Sequence, residues 1–160
     1  MFSIGDKVVY PMHGAGVIDG IEEKEILGEV KSYFILRLPL KNMKVMLPVD
    51  NIENIGLRNI VTSDIVEEIF LIMEEGKSDM PQNWNRRYRA NLEKIKSGDI
   101  TDVATVVRDL MILDKEKGLS TGERKMLNNS KQILTSELVL ASDYVEKDVE
   151  DIIKKAILKD

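Results

Sequence analysis

The sequence predicts an α+β protein, with a small N-terminal β-barrel followed by an all-α bundle of about five helices. Residues 1–55 carry short alternating or β-branched runs broken by glycine and proline, a pattern typical of short strands. From Thr62 onward, apolar residues recur at the spacing of amphipathic helices. The 160 residues allow one compact domain or two small ones. We expect two domains, at 1–56 and 61–160.

The first three strands are predicted around one hairpin. A β-branched run at 7–10 forms the first strand, and residues 13–16 (His-Gly-Ala-Gly) form a turn-rich break. Strands over 17–26 and 30–38 follow. They are joined by a tight hairpin in which Gly28 adopts positive φ.

A fourth strand is predicted at 43–47, and a short fifth at 52–55. Alternation along the fourth strand sorts its side chains by face. The side chains expected to point inward are Met43, Val45 and Leu47, and those expected to point outward are Lys44 and Met46. Several short strands at this spacing suggest a small barrel.

Five helices are predicted after the linker at 56–60. Their start signals are Thr62 to Asp64, Asn83, the break at 97–99, the capping box from Ser120 to Glu123, and Ser142. The apolar stripe of the last helix is expected to begin at Val145. Each stripe is too narrow for a stable lone helix, so we expect the helices to pack together. A strand domain of about 55 residues is marginal alone, so the two halves should touch.

Composition excludes several kinds of site. The chain has no Cys, so it has no disulfide, thiol nucleophile or thiolate metal site, and a reducing cytoplasm is its expected location. Its one His, His13, excludes a multi-His centre, and we expect neither metal nor cofactor. No apolar run is long enough to span a membrane. The N-terminus lacks the basic lead and apolar stretch of a secretory signal.

Motifs typical of enzymes are scarce. The phosphate-loop and dinucleotide-binding patterns are both missing. Gly14-Ala15-Gly16 lacks a third glycine and a following helix, which favours a β-turn. An acid–base hydrolase would need two carboxylates converging in a cleft, whereas paired acids such as Glu22-Glu23 lie on predicted solvent faces. We therefore expect that the protein is not an enzyme.

Positive charge gathers at two predicted helix starts, although the formal net charge is −5. Residues 81–96 hold five basic residues against one acid, and residues 115–131 hold five against two. Arg86, Arg87 and Arg89 oppose the helix macrodipole at the start of the second helix, which indicates an anionic partner. The alternative is a set of salt bridges with acids of the first helix.

Trp84, the only tryptophan, lies beside this arginine cluster. It shares an apolar face with Tyr88 and Leu92, so core packing is one interpretation. It also follows a polar loop at 81–83, where burial would be incomplete. An aromatic side chain at the rim of an arginine patch can stack on a base or wedge against it. The pattern alone leaves both interpretations open.

Four stretches of the sequence resemble the CarD/CdnL family of bacterial transcription regulators. They are 5–18 (GDKVVYPMHGAGVI), 83–94 (NWNRRYRANLEK), 106–110 (VVRDL) and 119–127 (LSTGERKML). The first stretch is also similar to the polymerase-binding module of transcription-repair coupling factors. The first and second together are specific, and the resemblance covers essentially the whole chain.

The resemblance implies a Tudor-like N-terminal domain that binds the β subunit of RNA polymerase. It also implies a helical domain that contacts promoter DNA and stabilises the open promoter complex. Trp84 would wedge into the minor groove at the upstream edge of the bubble. Basic side chains would contact the DNA backbone with little sequence specificity: Arg86, Arg89 and Arg124, with Arg87 and Lys125 as neighbours.

In the strand domain, the resemblance implies that a sheet edge pairs with polymerase by strand addition. The edge would be the strand at 43–47, with Lys44, Val45, Met46 and Leu47 as contact residues. Lys24 matches a position where relatives carry a basic contact residue. Met46 stands where some relatives carry Arg, so an apolar contact would replace a charged one.

An alternative is a polymerase-binding adaptor without DNA contact. It predicts that Trp84 is buried and that the arginines pair with acids of the first helix. In either case we expect a cytoplasmic monomer, associated with the nucleoid through RNA polymerase. The edge strand at 43–47 leaves self-pairing open as well.

Overall fold

The computed structural model describes residues 1–158. Its N-terminal half is a five-stranded antiparallel sheet of β1 (Lys7–Tyr10), β2 (Gly14–Ile26), β3 (Glu29–Leu38), β4 (Met43–Pro48) and β5 (Arg58–Asn59). The strand order is β4-β3-β2-β1-β5. The predicted α+β order is confirmed. The sheet is open rather than a closed barrel, because β5 has two residues and pairs with β1 alone.

The helices are α1 (Ile52–Ile55), α2 (Ser63–Glu74), α3 (Trp84–Lys96), α4 (Ile100–Glu116), α5 (Thr121–Leu140) and α6 (Glu146–Leu158). Single 3-10 turns lie at Pro39–Lys41 and Val49–Asn51. Helices α2 to α6 pack around one apolar core and confirm the predicted five-helix bundle. Within residues 1–158, no helix is both long and apolar enough to cross a membrane.

Residues 52–55 form α1, so the prediction of a short strand there is wrong. The helical turn buries Ile52 against the apolar core of the sheet, and Gly56 ends it in the left-handed conformation with its amide donating to the Ile52 and Glu53 carbonyls. The fifth strand lies at Arg58–Asn59, inside the predicted linker at 56–60. The linker is therefore part of the sheet.

The glycines of β2 replace the predicted turn-rich break. Residues 14–16 pair with β1, so β2 begins at Gly14 rather than at Val17. An added Cβ at Gly16 would lie 2.4 Å from the carbonyl oxygen of Arg37. Glycine is required there because β3 approaches the backbone closely.

Helix α6 begins at Glu146, later than the sequence predicts. The Ser142 hydroxyl donates to the Leu138 carbonyl at 2.5 Å and accepts from the Tyr144 amide, so Ser142 ends α5 instead of capping α6. Val145, which was expected to point inward, is exposed. The buried stripe of α6 begins at Val149.

The sheet and the bundle meet along α5. The Ala15 amide of β2 donates to the buried Ser136 hydroxyl at 2.8 Å. At the end of α5, the Lys7 ammonium donates to the Leu140 carbonyl at 3.1 Å. The expectation that the two halves touch is confirmed, and the contact includes hydrogen bonds as well as apolar packing.

A bidentate ion pair fixes the same interface. Both terminal nitrogens of Arg58 lie 2.7 Å from the Glu137 carboxylate oxygens, and the Val61 amide donates to Glu137 at 3.0 Å. The Arg58 Nε donates to the Gly98 carbonyl at 2.8 Å. The Glu137 side chain is almost fully buried, so this carboxylate depends on its protein partners for hydrogen bonds.

We expect Arg58→Ala to lower the free energy of unfolding by about 2–3 kcal/mol, because it leaves the Glu137 carboxylate buried without a cation. This is below the roughly 3–5 kcal/mol of a fully buried pair, since Arg58 keeps some contact with water. The measurement is urea unfolding. Arg37→Ala is the matched control. It breaks a more exposed pair with Asp19 and should lower the free energy of unfolding much less, because exposed ion pairs contribute little. Equal losses in the two variants would contradict a stabilising role for the interface pair.

Candidate nucleic-acid and polymerase interfaces

Helix α3 presents Trp84 at its first residue. The Asn83 side chain accepts a hydrogen bond from the Arg86 amide at 3.1 Å, so the predicted cap is confirmed and fixes where the helix begins. The indole stacks on Tyr88, with ring centroids 5.1 Å apart and 18° between the planes. Trp84 remains 40% exposed. The ring is therefore supported on one side and open to solvent on another.

The start of α5 holds the indole from a second direction. The Trp84 Nε1–H donates to the Ser120 hydroxyl at 2.9 Å. Ser120 caps α5 by accepting from the Glu123 amide at 3.2 Å. An added Cβ at Gly122 would lie 3.4 Å from the indole ring, so the ring rests close to the helix backbone. Two helices thus set the orientation of Trp84.

The predicted capping box forms only in part. Ser120 caps the helix as expected, but the Glu123 carboxylate pairs with Arg87. The Arg87 Nε lies 2.7 Å from Oε2 and its Nη2 lies 3.1 Å from Oε1. The remaining terminal nitrogen of Arg87 donates to the Gln82 carbonyl at 3.1 Å. Arg87 therefore links α3, α5 and the loop before α3.

This ion pair is stable at neutral pH. The hydrogen bond from Arg87 lowers the pKa of the Glu123 carboxyl below its ordinary value of 4.5, and the same bond raises the pKa of Arg87. A lowered carboxyl pKa contributes stability that is fully present above pH 4.5. That stability is lost only as the pH falls through the lower pKa of the folded protein.

The predicted DNA-contact cations fall into two groups. Arg86, Arg89 and Lys125 are exposed, and within residues 1–158 their side chains have no ion pair. Arg87 and Arg124 have carboxylate partners. The Arg124 guanidinium lies 2.7 Å from Asp114, and both of those side chains remain accessible to water. In the described part of the chain, none of these five cations pairs with an acid of α2, so the alternative of a salt-bridge set with that helix is not observed.

The loop before α3, residues 75–83, is held by a buried Arg–Asp pair that sequence reasoning did not assign to the site. The Asp109 carboxylate accepts from the Ser78 amide at 3.0 Å, and Arg108 donates to the Ser78 hydroxyl at 2.6 Å. Arg108 also donates to the Ile72 carbonyl at 3.2 Å. The signal in the sequence is a charged pair inside the apolar stripe of α4, where charges are rarely buried without partners.

The predicted polymerase-contact residues occupy the sheet edge and its outer face. Among the described residues, strand β4 pairs with β3 alone, so its other edge is open there. Leu47 is buried, Val45 is half-buried, and Lys44 and Met46 are exposed, as alternation predicts. Met43, which was expected to point inward, is exposed because it lies at the rim of the core, where β4 begins.

Lys24 lies beyond the end of β4 rather than beside it. Its register partner is Lys31, whereas the pairing of β3 with β4 stops at Tyr33 and Pro48. Side chains that oppose each other across antiparallel strands share a face, and the faces alternate along each strand. Lys24 and Met46 therefore lie on the same outer face of the sheet, away from the core.

We expect Ser120→Gly to loosen the indole while preserving the fold. Glycine at the N-cap costs only a few tenths of a kcal/mol, but it removes the acceptor for the Trp84 N–H. Because Trp84 is the only tryptophan, its fluorescence anisotropy should fall and its quenching by acrylamide should rise. The control is Ser142→Gly, at the other end of α5, which should change neither. Unchanged fluorescence in Ser120→Gly would show that the hydrogen bond does not hold the ring.

Comparisons with known proteins cover both halves of the chain. The family model for the CarD-like/TRCF RID domain matches residues 2–61, and the model for the CarD C-terminal domain matches residues 68–154. YdeB of Bacillus subtilis (strain 168), which carries the name of a transcription factor, is 44% identical over 149 residues. The aligned region spans 93% of this chain and 97% of YdeB.

Two solved structures from Myxococcus xanthus are similar to the N-terminal half. The solution structure of the 72-residue N-terminal domain of CarD is 30% identical, with a TM-score of 0.33, and the match covers 37% of this chain and 79% of that one. The CdnL N-terminal domain is 39% identical, with a TM-score of 0.34, and the match covers 38% of this chain and 86% of that one.

Proposed function

The chain belongs to the CarD family of transcription factors, and on that premise we propose that it binds the β subunit of RNA polymerase and stabilises the open promoter complex. The sheet contacts polymerase, and the helical bundle contacts DNA at the upstream edge of the melted bubble. Such a protein stabilises the open state only if it binds open DNA better than closed DNA. The DNA-contact surface must therefore include a group that only melted DNA accommodates.

Trp84 is that group, and its geometry is the observation that carries the proposal. Tyr88 supports one face of the ring, Ser120 holds its N–H, and 40% of the residue faces solvent. A rigid aromatic edge presented in this way can fill a partly unstacked base step in the minor groove. Since the orientation is set before DNA arrives, little side-chain entropy is lost on binding.

The cations around Trp84 have different roles in this proposal. Arg86, Arg89 and Lys125 contact phosphates directly, because no acid competes for them within the described residues. Arg124 exchanges Asp114 for a phosphate at small cost, since an exposed ion pair is worth little. Arg87 stays with Glu123 and positions α3 against α5. Phosphate contacts set the position on DNA without reading sequence.

The polymerase contact uses the open edge of β4. Strand addition needs free backbone groups along an edge strand, and β4 provides them. Val45 and Leu47 point toward the core and contribute through their backbone, whereas Lys44 and Met46 present side chains on the outer face. Lys24 extends the same face past the end of β4. The chain acts as a monomer, because this edge is occupied by polymerase.

The exposure of Trp84 favours DNA contact over a polymerase adaptor. An adaptor has no use for a solvent-facing indole, and burial in the bundle would be its expected state. The adaptor would also require the arginines of α3 to pair with acids of α2, and no such pair is observed within the described residues. The comparison that separates the two functions is promoter engagement with and without the indole.

We expect Trp84→Ala to shorten the lifetime of the open promoter complex roughly 5- to 150-fold, because contacts between bases and aromatic rings are worth about 1–3 kcal/mol. The measurement is decay of preformed complexes with purified polymerase after a competitor is added. The control is Leu71→Ala, which truncates an exposed apolar residue of α2 and should leave the lifetime unchanged. Unaltered lifetimes in folded Trp84→Ala would contradict the wedge.

We expect Arg86→Ala to weaken promoter engagement to the same degree on promoters of different sequence. It should also reduce the slope of log affinity against log salt concentration by about 1, because one phosphate contact and its released counterion are lost. The measurement is a salt titration on several promoters. Lys154→Ala on α6, another exposed cation, should change neither quantity. A loss that varies strongly with base sequence would contradict the backbone assignment.

A further inference from the structure

A two-stranded ribbon projects from the sheet. Residues 21–31, called here the β2–β3 arm, belong to the ends of β2 and β3 and the turn that joins them. The pairing of β1 with β2 stops at Val17, and the pairing of β4 with β3 stops at Tyr33. Every residue from 21 to 31 is exposed. The arm is therefore held by its own ladder and turn, and two-stranded ribbons are marginally stable alone.

Leu27 stands at the tip in a conformation that is unfavourable for it. Its φ is 53° and that of Gly28 is 83°, so both central turn residues are left-handed. This turn strongly prefers Asn-Gly, Asp-Gly or Gly-Gly, because a Cβ disfavours the left-handed region. Leu27 is also 99% exposed. Within residues 1–158, nothing compensates the strain or covers the side chain.

The residues around Leu27 indicate the chemistry of the partner surface that would cover its side chain. Ile26 and Val30 are exposed apolar neighbours of Leu27, and each is paired across the ribbon with a glutamate, Glu29 and Glu25 respectively. Four acids, Glu22, Glu23, Glu25 and Glu29, against two lysines, Lys24 and Lys31, give the arm a net negative charge. The complementary surface is an apolar pocket rimmed by basic side chains.

The arm is continuous with the open edge of β4. Because β4 ends opposite Tyr33, the outer edge of β3 from residue 29 to 32 is also unpaired. A partner that adds a strand along β4 therefore meets the arm directly past Pro48. Lys24, on the outer face of the arm, lies between the edge and the tip.

We propose that Leu27 is an anchor that inserts into an apolar, basic-rimmed pocket of RNA polymerase when the β4 edge is bound. This inference rests on the proposed function and adds a second contact region to it. Strain at an exposed apolar turn residue is retained because burial in the partner repays it. Strand addition supplies backbone hydrogen bonds, and the tip supplies apolar burial and register.

The test is Leu27→Asn, which gives the arm the Asn-Gly pair that its turn prefers. The melting temperature should stay the same or rise, so a loss of binding would not reflect unfolding. We expect affinity for bacterial RNA polymerase core enzyme, measured by biolayer interferometry, to fall roughly 10- to 100-fold, as the loss of one buried leucine predicts. The control is Leu71→Gln, which removes an exposed leucine from α2 and should preserve affinity.

Each other outcome overturns the anchor. Affinity within about twofold of the unaltered chain would show that Leu27 does not enter polymerase. A dimer that Leu27→Asn dissociates, detected by light scattering at constant polymerase affinity, would make a second copy the occupant. If the unaltered chain itself fails to bind the core enzyme, the proposed function fails first, which distinguishes that failure from failure of the anchor alone.

Discussion

The Arg58–Glu137 pair is the interaction on which the proposed mechanism depends. It joins the last strand of the sheet to the last turn of α5, and the Val61 amide adds a third hydrogen bond at the point where the chain enters the bundle. A flexible linker would let the two halves find separate orientations. Here the linker is a strand, and its arginine is bound to the bundle. In the proposed function, polymerase binding by β4 therefore fixes where α3 and Trp84 lie, so that their orientation is set before DNA is contacted.

Helix α5 contacts the Trp84 region at its first turn and the sheet at its last turns. Its first turn holds the indole through Ser120 and anchors Arg87 through Glu123, and its last turns meet the sheet through Ser136, Glu137 and Leu140. A single rigid element thus connects the strand domain with the exposed tryptophan. The Arg108–Asp109 pair adds a second support by holding the loop that leads into α3. Arg108 has several acceptors, and the Oδ1 of Asp109 accepts from both Ser78 and Arg108, whereas its Oδ2 has no hydrogen-bond partner within residues 1–158. The shared bonds favour one arrangement of the loop over loose alternatives.

Local patterns in the sequence predicted most elements, because caps and apolar periods are local properties. Asn83 and Ser120 cap their helices as expected, and the hairpin at Gly28 forms where the turn signal lies. Gly14-Ala15-Gly16 was misread as a turn, since the close approach of Arg37 is set by a strand twenty residues away. Ser142 was misread as a cap of α6 because its hydroxyl donates backward to the Leu138 carbonyl of α5 and accepts from the Tyr144 amide. The partner of Glu123 was missed for a similar reason. Glu123 lies three residues after Ser120, as the glutamate of a capping box does, whereas its actual partner Arg87 lies far away in the sequence, on α3.

The balance of charge bears on the proposed action of this acidic chain on DNA. Of the five cations in the proposed DNA-contact surface, two are already compensated by carboxylates, so the free patch is small. A patch of this size gives weak affinity for DNA in solution, because affinity scales with the number of phosphates neutralised. In the proposed function, polymerase holds the same patch beside the promoter at an effective concentration on the order of millimolar. Under this proposal, weak intrinsic affinity confines DNA contact to the place where polymerase holds the protein.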